Sequence, residues 1–245
     1  MTIVEEALVA LEDERSFMLA TLARLIAIDT SFPPGRGYAE IALVLEELVR
    51  PQGFATRRVV VPRQLWASGA GDLDGERVNL VAERSAGRPV CSIYVHVDTV
   101  PAGDGWTRPP FALEVEGERL YGRGAADMKG AVPAVLAAIR VLDRLGAELA
   151  FDPLLLFCTD EEGGLYPGIR WLAEQGLVAG HLLSFNGQAA PRLWAGCFGS
   201  LDLQIEIEGR AVHSGDGRGG VNAIEVAVPL LQALAALKTE VEARA

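Results

Sequence analysis

The sequence predicts an α/β fold: a mostly parallel sheet with helices on both faces, followed by the start of a smaller α+β domain. Short β-rich runs alternate with segments of helical periodicity as far as about residue 185, the order of elements in a parallel sheet with crossover helices. One run, LLLFC at 154–158, is apolar throughout, as strands buried on both faces are. A strict alternation of apolar and polar residues begins near residue 200 and predicts the different second part.

The first half of the chain contains two predicted helical segments and three predicted strands. Apolar residues with helical spacing occupy 3–28, which we expect to form an amphipathic helix, and 38–49; the stretch SFPPGRG breaks the pattern between them. The strand-like runs are 56–61, 79–83 and 91–98, and the last alternates apolar residues with polar or amphipathic ones. The sheet is therefore expected to begin after a helical N-terminal segment.

The second half of the first domain continues the alternation. A small hairpin is expected to turn at Gly117, and a helix over about 128–145 follows it. The apolar strand at 154–158, a helix over about 167–175 and a strand over 181–185 complete the predicted sheet and its cover.

The chain changes character near residue 199. Residues 200–210, SLDLQIEIEGR, predict an antiparallel strand with one face in solvent, and a helix is expected from about Asn222 towards the C-terminus. One strand and one helix cannot bury a core alone, so we expect the chain to stop before this second domain is complete. The predicted domains are 1–198 and 199–245.

Composition and charge exclude several classes of partner. The chain of 245 residues has a formal net charge of −11 and a pI near 4.8, so a phosphate backbone would repel it. The acidic N-terminus has the pattern of a helix and not of a signal peptide, and no apolar run reaches the length of a membrane span. Cys91, Cys158 and Cys197 are widely spaced and indicate buried free thiols rather than disulfides. We therefore expect a cytoplasmic protein without nucleic-acid or membrane partners.

Polar side chains collect where the predicted strands end. His96 and Asp98 end one strand, the three carboxylates at 160–162 follow a second, and Asn186 follows a third, while Asp127 stands at the start of a helix. Because ligands bind outside the carboxyl ends of the strands in open α/β sheets, we expect these groups to face one crevice. An imidazole with several carboxylates suits zinc, with cobalt or manganese as alternatives. A dication would also turn the repulsion among the carboxylates into attraction.

Each of these motifs, taken alone, has a simpler interpretation. HVD at 96–98 is by itself typical of a hydrogen-bonded histidine beside a capping Asp, and DEEGG at 160–164 of a solvated turn that opens a helix. His213 alone is typical of a surface histidine. The glycine-rich stretch 122–130 has Asp127 where a dinucleotide fingerprint has its third glycine, so a nucleotide-binding oxidoreductase is the least favoured interpretation. The order of the motifs on this predicted fold favours a metal site.

Four stretches in a fixed order carry a family resemblance. They are VHVDTVPAGDGWTRPPF (95–111), LYGRGAADMKG (120–130), CTDEEGG (158–164) and GRAVHSGDGRGGVNAI (209–224). With them the sequence resembles the metal-dependent amidohydrolases and peptidases that include carboxypeptidase G, aminoacylase, acetylornithine deacetylase and succinyl-diaminopimelate desuccinylase. The resemblance implies a zinc-peptidase-like catalytic domain over 1–198, a partial lid and dimerisation domain over 199–245, and a homodimer.

The resemblance also implies a set of metal ligands. His96 would bind one of two divalent metal ions, zinc in the first instance, Asp127 would bridge both ions, and Glu162 would bind the second. Asp98 would lie behind the site and tune it as a catalytic residue. In relatives the peptide bond after the Asp at position 127 is cis, and we expect the same here.

The implied reaction is the hydrolysis of an amide bond in an N-acyl amino acid or a small peptide. Glu161 would act as the general base, taking a proton from the attacking water and later handing it to the leaving amine. His213 would bind the substrate by helping to polarise the scissile carbonyl. The two metal ions would act as Lewis acids.

Two departures from the family pattern predict that this chain is impaired. In relatives an acidic metal ligand follows the strand that aligns with 181–185, but here Asn186 follows it, and a neutral amide oxygen binds zinc weakly. Relatives also have a longer C-terminal part that delivers a final metal-binding histidine. We therefore expect weak or no activity. The alternative hypothesis is a non-catalytic or truncated homologue that acts as a binding or regulatory chain.

Overall fold

Helices and strands alternate along the protein, in a computed structural model that describes residues 2–67, 73–186, 203–213, 215 and 219–244. The elements are α1 (Ile3–Ala10), α2 (Arg15–Ile26), α3 (Tyr38–Val49), β1 (Ala55–Val60), β2 (Val78–Glu83), β3 (Val90–His96), β4 (Glu114–Glu116), β5 (Arg119–Tyr121), α4 (Ala131–Arg144), β6 (Asp152–Cys158), α5 (Pro167–Glu174), β7 (His181–Ser184) and α6 (Ala223–Glu242). Apart from the N-terminal segment, each element expected from the sequence up to residue 185 is present, and β4 and β5 form the hairpin that turns at Gly117.

The central sheet has five strands in the order β1-β2-β6-β3-β7. β3 pairs in parallel with both β6 and β7, whereas β2 is antiparallel to both β1 and β6. β2 is therefore the one strand of this sheet that runs against the others. The prediction of a mostly parallel sheet is confirmed.

Helices cover the sheet on both faces, as predicted. Leu155 and Phe157 of β6 belong to the larger core, which α2, α3 and α4 complete. The alternate residues Leu154, Leu156 and Cys158 face the other way and pack in a smaller core with α5. Because successive side chains of a strand point to opposite faces, burial on both faces explains why this strand is apolar throughout.

The N-terminal segment departs from the expected single helix over 3–28. A 3₁₀ turn at Leu11–Glu14 separates α1 from α2. The turn directs the Glu14 carboxylate inwards, where it is 3% exposed and accepts hydrogen bonds from Arg140 at 2.7 Å and Arg144 at 2.8 Å. The break therefore places an ion pair between the N-terminal segment and α4.

The chain divides into two compact units, Met1–Ala189 and Ala190–Ala245. In the second unit, α6 begins at an Asn222 cap, whose side chain accepts a hydrogen bond from the backbone N–H of Ile224 at 3.0 Å. The strand expected over 200–210 is wrong for its described part, 203–210. There the only ladder contact is the bridge of Arg210 with Val221, and a strand is not stable without a partner along its length.

Two further findings concern the thiols and the helices. Cys158 is a buried free thiol as expected, whereas Cys91 is partly exposed; Cys197 lies outside the described residues. Among the described helices, none combines the length and the apolar character that a membrane span requires.

Candidate metal centre

The carboxyl ends of three parallel strands form one edge of the sheet. His96, the last residue of β3, lies opposite Cys158, the last residue of β6, and β7 ends at Ser184, opposite Tyr94. The residues that follow these strands therefore meet at this edge, as the sequence predicted. Asp127 reaches the same place from the irregular turn that precedes α4, and its peptide bond to Met128 is cis, as the resemblance implies.

His96 is the buried centre of this group of side chains. Its Nε2 lies 2.9 Å from Oδ1 of Asp127 and 3.9 Å from Oε2 of Glu161. On the other side of the ring, Nδ1 lies at hydrogen-bond distance, 3.2 Å, from the backbone carbonyl of Asp98, and the Asp98 side-chain oxygen Oδ1 lies 3.5 Å from it. Asp98 is fully buried, and its Oδ2 accepts a hydrogen bond from the backbone N–H of Glu162 at 2.9 Å. Asp98 therefore connects the imidazole to the turn that carries the two glutamates.

Three side chains present ligand atoms to a common point. One imidazole nitrogen of His96 and one carboxylate oxygen each of Asp127 and Glu162 lie within 4.8 Å of one another. An imidazole and two carboxylates form a donor set suited to zinc and to other first-row divalent ions. The three residues that the sequence predicted as metal ligands are thus brought together, and their chemistry fits the ion.

The electrostatics of the site also fit a cation. Burial lowers the pKa of His96, but the surrounding carboxylates, Asp98 first among them, outweigh burial and raise the pKa of the imidazole to about 9. Burial raises the pKa of Glu161, and Asp98 adds to the increase. Burial likewise raises the pKa of Glu162, with the charge of Asp127 as the next cause. A divalent cation would relieve this concentration of negative charge without the uptake of protons.

Glu161 and Glu162 have different surroundings although they are neighbours in the sequence. Glu162 belongs to the set of three ligands, whereas Glu161 accepts a hydrogen bond on Oε1 from the amide Nδ2 of Asn186 at 2.9 Å. Asn186 therefore reaches the site, but as a hydrogen-bond donor to the expected general base.

His213 is the one predicted site residue in the second unit. Its Nδ1 accepts a hydrogen bond from the backbone N–H of Gly215 at 3.2 Å. A role for His213 in substrate binding stays a prediction.

Sequence reasoning missed the support behind the two glutamates. Asp160 is 1% exposed and accepts hydrogen bonds from the Tyr38 hydroxyl at 2.7 Å and from Nε of Arg77 at 2.8 Å. These partners are 122 and 83 residues away from it in the chain, so no local motif indicates them. Only the DEEGG motif itself could have drawn attention to Asp160.

Comparison with known proteins places this site in a family. The model of peptidase family M20/M25/M40 matches residues 92–240, which is more than half of the chain. This range contains every predicted site residue from His96 to His213.

Curated relatives from bacteria extend the match to most of the chain. Succinyl-diaminopimelate desuccinylase of Rhizorhabdus wittichii is 37% identical over 223 residues, which cover 87% of this chain and 55% of the relative. The desuccinylase of Rhodospirillum rubrum is 36% identical over 212 residues, 80% of this chain and 51% of the relative. The chain thus spans about half the length of the curated relatives it matches.

Solved structures agree with this assignment. Human carnosine dipeptidase 1 shares the fold with a TM-score of 0.61 at 20% identity, over 79% of this chain and 42% of the dipeptidase. An M20 family metallo-carboxypeptidase from Sulfolobus solfataricus has a TM-score of 0.56 at 26% identity, over 71% of this chain and 38% of its own. From the family match, the relatives and the site, this chain belongs to peptidase family M20/M25/M40.

Proposed function

We propose that the protein is a metal-dependent hydrolase of amide bonds in N-acyl amino acids or small peptides, of the deacylase or carboxypeptidase type. The observation that carries the proposal is the convergence of His96, Asp127 and Glu162 at the carboxyl edge of the sheet, with Glu161 beside them. The substrate class is supported by the names of the relatives, a desuccinylase and a metallo-carboxypeptidase.

His96, Asp127 and Glu162 would hold the divalent ion, zinc in the first instance and cobalt or manganese as alternatives. When bound, such an ion supplies Lewis acidity and lowers the pKa of water. Asp98 orients the His96 ring from behind, a position in which a carboxylate raises the basicity of a ligating imidazole. The resemblance implies instead two ions, with His96 on one, Glu162 on the second and Asp127 on both, and the titration described below distinguishes one ion from two.

Glu161 is proposed as the general base. Its carboxylate lies beside the three candidate ligands, and burial raises its pKa, which makes it a stronger proton acceptor. It would take a proton from the attacking water and pass it to the leaving amine.

The second unit is proposed to contribute to substrate binding and assembly. His213 would polarise the scissile carbonyl, and residues 199–245 would begin a lid and dimerisation domain. The protein is proposed to act as a homodimer in the cytoplasm.

The test of metal binding is a calorimetric zinc titration of the whole chain, with Asp127→Ala as the control. We expect tight binding that Asp127→Ala loses, because this residue supplies a carboxylate to the common point of the three ligands. The fitted stoichiometry distinguishes one ion from two. Weak binding in the wild type, or equal binding in both proteins, would reject the proposal.

A second candidate function, a non-catalytic binding or regulatory chain, is favoured by Asn186. Its amide donates to Glu161 at the position where relatives are expected to place an acidic ligand, so the site lacks one negative charge. We expect Asn186→Asp to bind zinc at least tenfold more tightly, because an ionised carboxylate is a better zinc ligand than an amide. This second candidate would be rejected if the zinc-loaded wild type hydrolysed N-acyl amino acids from a panel at a turnover near that of active enzymes of the family.

A further inference from the structure

Arg77, the residue before β2, is a large charged side chain with no exposed surface. Its Nε donates to Oδ2 of Asp160 at 2.8 Å, and both partners of this ion pair are at most 1% exposed. A buried ion pair is costly unless further hydrogen bonds satisfy its remaining donors and acceptors. Asp160 immediately precedes Glu161, so this pair lies directly behind the candidate site without belonging to it.

The other two nitrogens of the Arg77 guanidinium also have hydrogen-bond acceptors. They donate to backbone carbonyls at Pro34 (3.1 Å), Gly35 (3.4 Å), Gly75 (3.3 Å) and Asp74. One face of the guanidinium stacks on the Trp66 ring, 3.9 Å from its centroid. This planar fork joins the segments around 34, 66 and 75 to Asp160, and the compact ammonium of a lysine cannot make the same set of bonds.

Asp160 has a backbone conformation that needs such support. Its φ is +56°, in the left-handed region that residues other than glycine rarely adopt. Arg77 holds one carboxylate oxygen, and the hydroxyl of Tyr38 donates to the other at 2.7 Å. The left-handed residue turns the chain out of β6, and two residues later the N–H of Glu162 donates to Asp98. The turn is therefore anchored immediately before and immediately after Glu161.

We propose that Arg77 is a positioning residue: through Asp160 it sets where Glu161 and Glu162 lie relative to His96 and Asp127. It touches neither metal nor substrate in this role. The inference rests on the proposed function for what the two glutamates do, but the position of the turn can be measured independently of that function.

The experiment compares Arg77→Lys and Asp160→Asn with the wild type and with Arg36→Lys. Arg36 is a matched control because it belongs to the neighbouring loop and forms an exposed ion pair with Asp74. Amide hydrogen exchange is measured on the metal-free chain by NMR, and zinc affinity by calorimetry. We expect the Glu162 amide to exchange at least tenfold faster in both test variants, with β3 still protected, and zinc to bind at least tenfold more weakly. Arg36→Lys should match the wild type.

Several results would overturn the inference. Unchanged exchange at Glu162 in folded variants would show that the turn does not need Arg77. Loss of protection spread evenly over the sheet, β3 included, would show that Arg77 serves only general stability. If the Glu162 amide exchanged faster but the zinc affinity stayed unchanged, the position of the turn would not control metal binding. If the wild type itself bound no zinc, the proposed function would fail, and the exchange data alone would decide the role of Arg77.

Discussion

At the scale of single residues, the two adjacent glutamates of the site differ through their neighbours. Glu162 shares a common point with the two other candidate ligands, whereas Glu161 accepts a hydrogen bond from the amide of Asn186. Their sequence positions alone leave the two roles interchangeable. The assignment of one as ligand and the other as base depends on which groups the fold brings to each carboxylate.

The first prediction concerns Glu161→Gln, which retains shape and removes the proton acceptor. We expect zinc affinity within about threefold of the wild type, because Glu161 is outside the set of three ligands. Where the zinc-loaded wild type shows amide hydrolysis, the rate should fall by about 10²–10⁴-fold, the usual contribution of a general base. Calorimetry and an amidase assay measure the two effects. Glu118→Gln, in the exposed hairpin turn, is the matched control, and an equal loss of zinc binding and activity in Glu161→Gln would contradict the assignment.

The second prediction is a pH dependence that belongs to His96. The pKa of its imidazole in the folded, metal-free protein is raised to about 9 from an ordinary 6.5. Protonated His96 therefore stabilises the fold fully below pH 6.5, and this contribution is lost as the pH rises from 6.5 through 9. The difference in unfolding free energy between the wild type and His96→Asn should shrink over that range.

Urea unfolding in the presence of a chelator measures this difference at several pH values. Titrating groups distant from His96 cancel in the comparison because both proteins contain them in the same surroundings. A difference that stays constant between pH 6 and 10 would contradict the raised pKa.

The candidate ligands could be picked out from the sequence, but the residues that support them could not. His96, Asp127 and Glu162 stand beside strand ends or in a turn whose composition shows in the sequence. Tyr38 and Arg77 stand far from Asp160 along the chain, and an aromatic residue in a helix or an arginine before a strand has no special local pattern. Their function depends on tertiary proximity, which periodicity does not encode.

At the scale of elements, β6 shows why most of the fold follows from pattern. Both of its faces are buried, so its apolar run had one consistent interpretation. The predictions of secondary structure were wrong where the structure depends on contacts with another segment of the chain. Residues 203–210 alternate as a strand does, but ladder bonds depend on a second segment, and the described part provides one bridge. At the break at Leu11–Glu14, Glu14 pairs with two arginines of α4, a contact that helical periodicity does not reveal.

The third prediction concerns α6 and its apolar side chains. None of its residues is buried, and Ile224 and Leu231 are 75% and 61% exposed. Apolar surface of this kind promotes association. We expect the wild type to form dimers or larger species, and Leu231→Glu to shift it towards monomer.

Light scattering over a range of concentrations measures this shift. Gln232→Glu adds the same charge one residue further along the helix. Gln232 does not belong to the apolar row of Ile224, Val228 and Leu231, so this variant should leave association unchanged. A wild-type protein that stays monomeric at high concentration would contradict the prediction.

At the scale of the whole molecule, the candidate site and the division into two units are related. Every site residue other than His213 lies in the unit Met1–Ala189, which also contains the whole five-stranded sheet. Metal binding should therefore be a property of that unit, whereas the proposed substrate contact of His213 requires the other.

The fourth prediction is that residues 1–189, expressed alone, fold cooperatively and bind zinc within about threefold of the affinity of the whole chain. Both cores of the sheet and all three candidate ligands are retained. Thermal unfolding by circular dichroism and zinc calorimetry provide the measurements. A folded unit that no longer binds zinc would show that Ala190–Ala245 contributes to the ligand set.

The segments that carry the site's motifs are not enough to form the site by themselves. The family match begins at residue 92, yet a Cβ on Gly163, in the turn after the glutamates, would overlap the ring of Phe32. Phe32 is joined in turn to the segment after β3 by its N–H, which donates to the carbonyl of Thr99 at 2.7 Å. Grafting these segments onto another scaffold would transfer the candidate ligands. It would not transfer Phe32, against which the turn at Gly163 packs. Transfer of this centre to another protein would therefore also need residues that precede the family match, Phe32 and Arg77 among them.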